Sequence, residues 1–155
     1  MTVKPIPDGY QTVTPYLVIK GAAGALDFYQ KAFGAEERMR LEDKGMIMHA
    51  EVKIGDSVVM LADEFPDMGY VGPQAIGGSP VSMMIYVKDV DQVFARAIAA
   101  GAKERRAVNN EFYGDRVGTL VDPFGHVWSI ATHVEDVSRD EMERRFRDMT
   151  KKMGG

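Results

Sequence analysis

The chain has 155 residues, 45% of them hydrophobic and 27% charged, which is the composition of one globular domain and excludes a disordered or fibrous protein. Its 19 basic and 23 acidic residues give a net charge of -4 without a basic stripe, so we expect no nucleic-acid partner. The absence of cysteine excludes disulfides and zinc-thiolate sites. No apolar run approaches a membrane span, and residues 1–9 lack a signal-peptide core, so we expect a cytoplasmic protein.

The first part of the chain predicts a strand, a helix and three more strands. The predicted strands cover residues 12–19, 36–41, 46–54 and 57–62, and the predicted helix covers residues 22–33. Apolar side chains recur at helical spacing in the helix, and Gly34 is typical of the residue that ends one. Gly55 and Asp56 separate two β-rich runs, which indicates a tight hairpin.

Residues 64–80 interrupt this order. The segment holds four glycines and three prolines, which predicts a linker or a mobile loop. The same order of elements then begins again. The predicted strands of this second part cover residues 81–87, 103–108, 113–121 and 127–132, and its helix covers residues 90–98. The pair Gly34-Ala35 recurs as Gly101-Ala102, and Asp122-Pro123-Phe124-Gly125 suits a type I turn.

This repeat predicts an α+β fold, in which two βαβββ modules form a curled mixed sheet around a cavity with helices outside. The predicted organisation is a single domain over 1–155, with module 1 at about 10–63, a linker at 64–80, module 2 at about 81–134 and a C-terminal helix at 137–151. Ser138-Arg139-Asp140-Glu141 forms a capping box that begins this last helix.

Three groups of motifs give the chain a family resemblance. They are Thr14-Pro15-Tyr16-Leu17 with residues 25–29 and 33–36, Met48-His49-Ala50-Glu51 with residues 55–57, and the stretch 122–133. Together they resemble the vicinal oxygen chelate superfamily of glyoxalase I, fosfomycin and bleomycin resistance proteins and extradiol dioxygenases, and within it the PhnB-like group. The resemblance covers about residues 10–140. It implies paired βαβββ modules, a U-shaped sheet, a small-molecule ligand and commonly a homodimer.

The resemblance also implies where a metal site would lie. The ligand positions of metal-using members map onto Thr14, Met60, Ser82 and Ser129, of which Ser129 is fixed by its distance from Gly125. None of the four is an imidazole or a carboxylate. Hydroxyls are weak neutral ligands and a thioether prefers soft metals, so we expect the usual divalent metal to be absent.

Ionisable residues close to these positions offer other chemistry. A two-residue hairpin loop pairs Glu51 with Met60, which places His49 and Glu51 on the cavity face as candidate catalytic residues. The alternatives are that His49 is a hydrogen-bonded residue of a polar wall, and that Glu51 is paired with His49 or an arginine or lies at the cavity mouth. His133 shares a strand face with Ser129, but its place at a strand end makes solvent exposure the default interpretation.

The remaining candidates would line the cavity and bind the ligand. The predicted ligand-binding residues are Thr14, Tyr16, Met60, Ser82, Met84, Tyr86, Arg116, Thr119, Ser129 and His133. Their orientation depends on one turn. A one-residue bulge after Val121 would bring Thr119 to the inner face, whereas without it Arg116 would point inward and favour an anion.

These observations predict a small-molecule-binding protein without the usual metal. The alternative is a divalent-metal-dependent lyase or isomerase that uses displaced ligands such as His49 and Glu51. A third interpretation is metal-free acid–base catalysis by the same two residues.

Overall fold

The computed structural model describes residues 2–154, and its first half forms one βαβββ module. The elements of module 1 are β1 (Tyr16–Ile19), α1 (Ala22–Phe33), β2 (Glu36–Asp43), β3 (Met46–Ile54) and β4 (Ser57–Asp63). The strand order is β1-β4-β3-β2, with β1 parallel to β4 and the other pairs antiparallel. The hairpin has the predicted two-residue loop, because Ile54 pairs with Ser57 across Gly55 and Asp56.

The second half repeats this topology. The elements of module 2 are β5 (Ser82–Tyr86), α3 (Val90–Ala99), β6 (Lys103–Asn110), β7 (Asp115–Val121) and β8 (Val127–His133), and α4 (Arg139–Gly154) follows. The strand order β5-β8-β7-β6 is equivalent to that of module 1. The predicted α+β class, the paired modules and the C-terminal helix are therefore confirmed. Within residues 2–154 the strands form two four-stranded sheets that are not joined by a strand ladder.

One hydrophobic core connects the modules through the helix-facing sides of both sheets. Helix α1 packs on the sheet of module 1, and its Tyr29 and Phe33 rings also contact Trp128 of β8. Their ring centroids lie 5.2 and 4.8 Å, respectively, from that of Trp128. Buried Asp63 fixes the start of α1 by accepting hydrogen bonds from the backbone N–H groups of Gly21 and Ala22, at 3.0 and 2.9 Å. This core leaves the opposite side of each sheet, called the open face below, for other roles.

The turn between β7 and β8 decides which side chains reach the open face of module 2. Residues 122–126 form the loop, because Val121 pairs with Val127. Thr119 lies beside Ser129, so the chain adopts the bulged alternative. Arg116 lies on the helix-facing side, where its guanidinium binds both carboxylate oxygens of Asp91 at 2.9 Å. Arg116 therefore does not belong to the open face.

The segment between the modules has a defined path. It contains a 3-10 helix at Pro66–Met68 and the short helix α2 (Pro73–Ile76). The Gln74 side-chain amide donates to the Pro123 carbonyl at 3.1 Å, so the segment is anchored on the β7–β8 turn. Among the helices described for residues 2–154, none is both long and apolar enough to cross a membrane.

Candidate functional site

The open face of module 1 holds two of the ionisable candidates of the sequence, His49 and Glu51. Strand pairing places Met60 beside both Tyr16 of β1 and Glu51 of β3. His49 lies two residues before Glu51, on the same side of β3. The Tyr16 side chain is 49% exposed, whereas Glu51 is only 5% exposed. A buried carboxylate thus lies behind a tyrosine that is accessible from solvent.

Four of these side chains form one chain of hydrogen bonds. The Tyr10 hydroxyl donates to Glu51 Oε1, and His49 Nε2 lies 2.8 Å from Glu51 Oε2. The other ring nitrogen of His49, Nδ1, lies 2.9 Å from the Tyr16 hydroxyl. Of the alternatives for Glu51, the pairing with His49 is therefore present, and Tyr16 is the exposed end of the hydrogen-bond chain.

Burial and hydrogen bonding have opposite effects on the pKa of Glu51. Burial raises the pKa of its carboxyl, but the hydrogen bonds from Tyr10 and His49 outweigh that effect and hold the pKa below its usual value. The hydrogen bond to Glu51 and burial raise the pKa of Tyr10, while burial and the charge of Glu51 raise the pKa of Tyr16. At neutral pH the cluster therefore holds one carboxylate and two protonated phenols.

The N-terminal segment covers part of this face. Tyr10 reaches Glu51 from it, and the Arg38 guanidinium lies 5.1 Å from the centre of the Tyr10 ring. A cavity of about 480 Å³ lies beneath the segment, lined by residues 5–7, 10–12 and 14 and by Met60. None of these lining residues comes from module 2. Tyr10 was not among the predicted residues, because no local pattern links it to a glutamate 41 positions later.

The open face of module 2 is lined by small hydroxyls and apolar side chains. Ser129 lies next to Met84 in the strand pairing, and Ser82 lies next to Val127. The Thr119 and Ser129 hydroxyls are hydrogen-bonded to each other at 2.8 Å. These side chains offer neutral donors and acceptors on a surface where Met84 is 47% exposed.

A second buried carboxylate occupies the end of this face. Asp115 accepts a hydrogen bond from the Tyr86 hydroxyl at 2.7 Å and lies 2.8 Å from His133 Nδ1. The other nitrogen of His133 lies 2.7 Å from exposed Asp136. Hydrogen bonds to the two carboxylates raise the pKa of His133. Asp115 itself was missed by the sequence reasoning, since a lone aspartate at a strand start is typical of a turn.

The residues at the mapped metal positions do not make a donor set for a divalent ion. Thr14 donates its hydroxyl to the Gln11 carbonyl at 3.1 Å, and Ser129 is paired with Thr119. Within residues 2–154, no group of three or more His, Asp or Glu side chains is arranged to hold a metal. In addition, both oxygens of Glu51 are already hydrogen-bonded.

Known proteins share this architecture and part of its sequence. The model of the Glyoxalase/Bleomycin resistance protein/Dioxygenase superfamily matches residues 11–130. An uncharacterized protein of Mycobacterium tuberculosis is 42% identical over 135 residues, covering 84% of this chain and 79% of that protein. The structure of TioX from Micromonospora sp. ML1 is 25% identical with a TM-score of 0.62, covering 80% of this chain and 99% of TioX. The PhnB protein from Bacillus cereus has the same fold at 21% identity and a TM-score of 0.61, covering 79% of this chain and 99% of that chain.

Proposed function

Because the chain belongs to the glyoxalase/bleomycin resistance protein/dioxygenase superfamily, we propose that it binds a partly apolar small molecule on its open faces, without a divalent metal. One observation carries this proposal. The positions to which the family resemblance assigns the metal ligands hold Thr14, Met60, Ser82 and Ser129, and the hydroxyls of Thr14 and Ser129 form hydrogen bonds. Hydroxyls and thioethers on half-exposed strands suit a ligand with apolar surface and a few polar groups.

The metal-free part of the proposal is tested by metal analysis of the purified protein. Protein prepared without added metal is analysed by mass spectrometry of the elements and then titrated calorimetrically with Ni²⁺, Zn²⁺, Mn²⁺ and Fe²⁺. We expect no stoichiometric metal and no binding that depends on His49. His126→Ala is the matched control, because the His126 imidazole is hydrogen-bonded to the Val18 carbonyl at 3.0 Å and does not contact His49 or Glu51. One metal per chain that His49→Ala abolishes and His126→Ala preserves would contradict the metal-free proposal and favour the metal-dependent lyase or isomerase.

The same proposal includes a homodimer whose second copy completes each binding cavity. The edge strands β2 and β6 are exposed and rich in charged residues, which discourages edge pairing. The edge strands β1 and β5 contain no charged residue. A groove of about 1150 Å³ lies between β5 and residues 54–59 of module 1, and Val81, the residue before β5, is 63% exposed. Pairing along β5 would cover this apolar edge and bring a second open face close to the first.

Sedimentation velocity tests the dimer. We expect the wild-type protein to sediment as a dimer and Val81→Lys to shift it towards monomer, because a lysine beside β5 would be buried without a partner. Ile76→Lys, on the exposed helix α2, is the control and should leave the dimer intact. A wild-type monomer at all concentrations, or equal effects of the two lysines, would contradict pairing along β5.

Metal-free acid–base catalysis is a second candidate, favoured by the hydrogen-bond chain. Glu51 orients His49, and His49 contacts the exposed Tyr16 hydroxyl, which is the arrangement of a general base with a carboxylate behind it. A reaction found for the wild-type protein that persists with chelator and is lost in His49→Gln would support it. A reaction that persists in His49→Gln would exclude His49 as its base.

A further inference from the structure

The hydrogen-bond chain of module 1 has a fixed direction that begins at Glu51. The pKa of this carboxyl is held below its usual value by its two hydrogen bonds, although burial opposes them, so it is ionised at neutral pH. An ionised carboxylate only accepts hydrogen bonds. Its Oε1 accepts a hydrogen bond from Tyr10, and its Oε2 accepts one from the N–H of His49 Nε2, 2.8 Å away.

The direction then continues through the imidazole. In its neutral form the His49 imidazole carries one N–H, and the acceptor Oε2 of Glu51 places that hydrogen on Nε2. Nδ1 is therefore an acceptor, and the Tyr16 hydroxyl, 2.9 Å away, must be its donor. A tyrosine hydroxyl has a single hydrogen. Having donated it to His49, Tyr16 presents only oxygen lone pairs to the open face.

The surroundings of Tyr16 determine what can use those lone pairs. Tyr16 is 49% exposed, and its hydrogen bond to His49 lies at the surface, where a ligand can approach. The negative charge of Glu51 lies behind it, whereas the nearby Arg38 guanidinium lies over the Tyr10 ring. Met60 lies beside Tyr16 in the strand pairing and adds apolar surface. An anion would meet both a like charge and an acceptor with no hydrogen to share.

From this geometry we infer that the open face of module 1 selects a ligand that donates a hydrogen bond to the Tyr16 hydroxyl oxygen. Its chemical class is a partly apolar alcohol, phenol or amine, neutral or cationic. Carboxylates and ethers of similar shape bind less well. This inference rests on the proposed function, since it names the class of ligand for that same face.

Three monosubstituted benzenes test the inference. Phenol can donate a hydrogen bond, anisole can only accept one, and benzoate is an anion. Each is titrated at neutral pH into uniformly ¹⁵N-labelled protein while backbone resonances of β1 and β3 are followed. We expect phenol to bind roughly 3- to 10-fold more tightly than anisole, the effect of one hydrogen bond, and benzoate to bind most weakly. The His49 side-chain nitrogen shifts should show a hydrogen on Nε2 and none on Nδ1.

Tyr16→Phe removes the acceptor and should reduce the preference for phenol over anisole to about one. Tyr113→Phe is the matched control, because it makes the same change in the loop between β6 and β7 of module 2, outside the open face of module 1. It should keep the preference. Equal binding of the probes at the open face, a proton on Nδ1, or a preference that survives Tyr16→Phe would overturn the inference while the binding function stands. If no probe shifts the open-face resonances, the proposed function itself fails, and the inference with it.

Discussion

Removal of the Asp122 carboxylate should destabilise both modules rather than one turn. Asp122 is 3% exposed and accepts four hydrogen bonds. Its Oδ2 accepts from the Tyr29 hydroxyl at 2.6 Å and from Trp128 Nε1 at 2.9 Å. Its Oδ1 accepts from the backbone N–H groups of Phe124 and His126, at 2.9 and 3.0 Å. Tyr29 belongs to module 1 and Trp128 to module 2, so one carboxylate connects the two.

The magnitude follows from the burial of those donors. Tyr29 and Trp128 are fully buried, so Asp122→Ala leaves an O–H and an N–H without a partner and without access to water. Each such group costs about 1–3 kcal/mol, and the loss of the turn hydrogen bonds adds to this, so we expect a total of about 3–6 kcal/mol. A domain of this size has about 5–15 kcal/mol of stability in all. Asp122→Asn keeps the shape but turns an amide donor towards one pair of donors, so it should lose about 2–4 kcal/mol.

Urea denaturation measures the loss. The single tryptophan, Trp128, reports on the core by fluorescence, and far-ultraviolet circular dichroism reports on both modules. Asp27→Ala, at an exposed position of α1, is the control and should change stability little. Tyr29→Phe should cost less in the Asp122→Ala background than in the wild type, because its partner is already gone. A free energy of unfolding for Asp122→Ala within about 1 kcal/mol of the control would refute the reasoning.

Three further changes have defined outcomes. Gly118→Ala would place a Cβ 2.8 Å from the Phe94 ring, so it should lower the free energy of unfolding by about 1–3 kcal/mol in the same assay; an unchanged value would contradict the packing. His133 has a raised pKa, so the stability it adds is complete below the unfolded-state pKa of about 6.5 and is lost as the pH rises through the folded-state value. The melting temperature of His133→Gln should therefore differ more from wild type at pH 6 than at pH 9, and a gap independent of pH would count against this ion pair. Tyr10→Phe should raise the pKa of Glu51, measured by ¹³C carboxyl titration, because it removes a hydrogen bond that lowers it; an unshifted titration would show that this bond is not formed in solution.

Short-range rules predicted the strand faces well. The two-residue loop at Gly55-Asp56 determined that Glu51 pairs with Met60, and this register is present. The first strand was predicted from residue 12 but begins at Tyr16, because Pro15 lacks an N–H and the Thr14 hydroxyl turns back to the Gln11 carbonyl. Propensity identified a β-rich segment there, but it could not identify the local hydrogen bond that competes with the sheet.

Contacts between distant parts of the chain were beyond such rules. The orientation of Arg116 depended on a bulge, and the alternation of polar and apolar residues could not decide it. Its partner, Asp91, lies on α3, 25 positions away. Tyr10 and Asp115 were missed for a related reason, since each gains its role from a histidine or carboxylate that only the folded chain brings near.

The motif that best identifies the family is also the one that explains its function least. Asp122 and the turn after it are used for hydrogen bonds to Tyr29 and Trp128 inside the core, so this motif specifies how two modules join. The open face carries other side chains, among them His49 and Tyr16, which are hydrogen-bonded to each other. Family membership therefore follows from the joint between the modules, whereas a function has to be argued from the side chains of the open face.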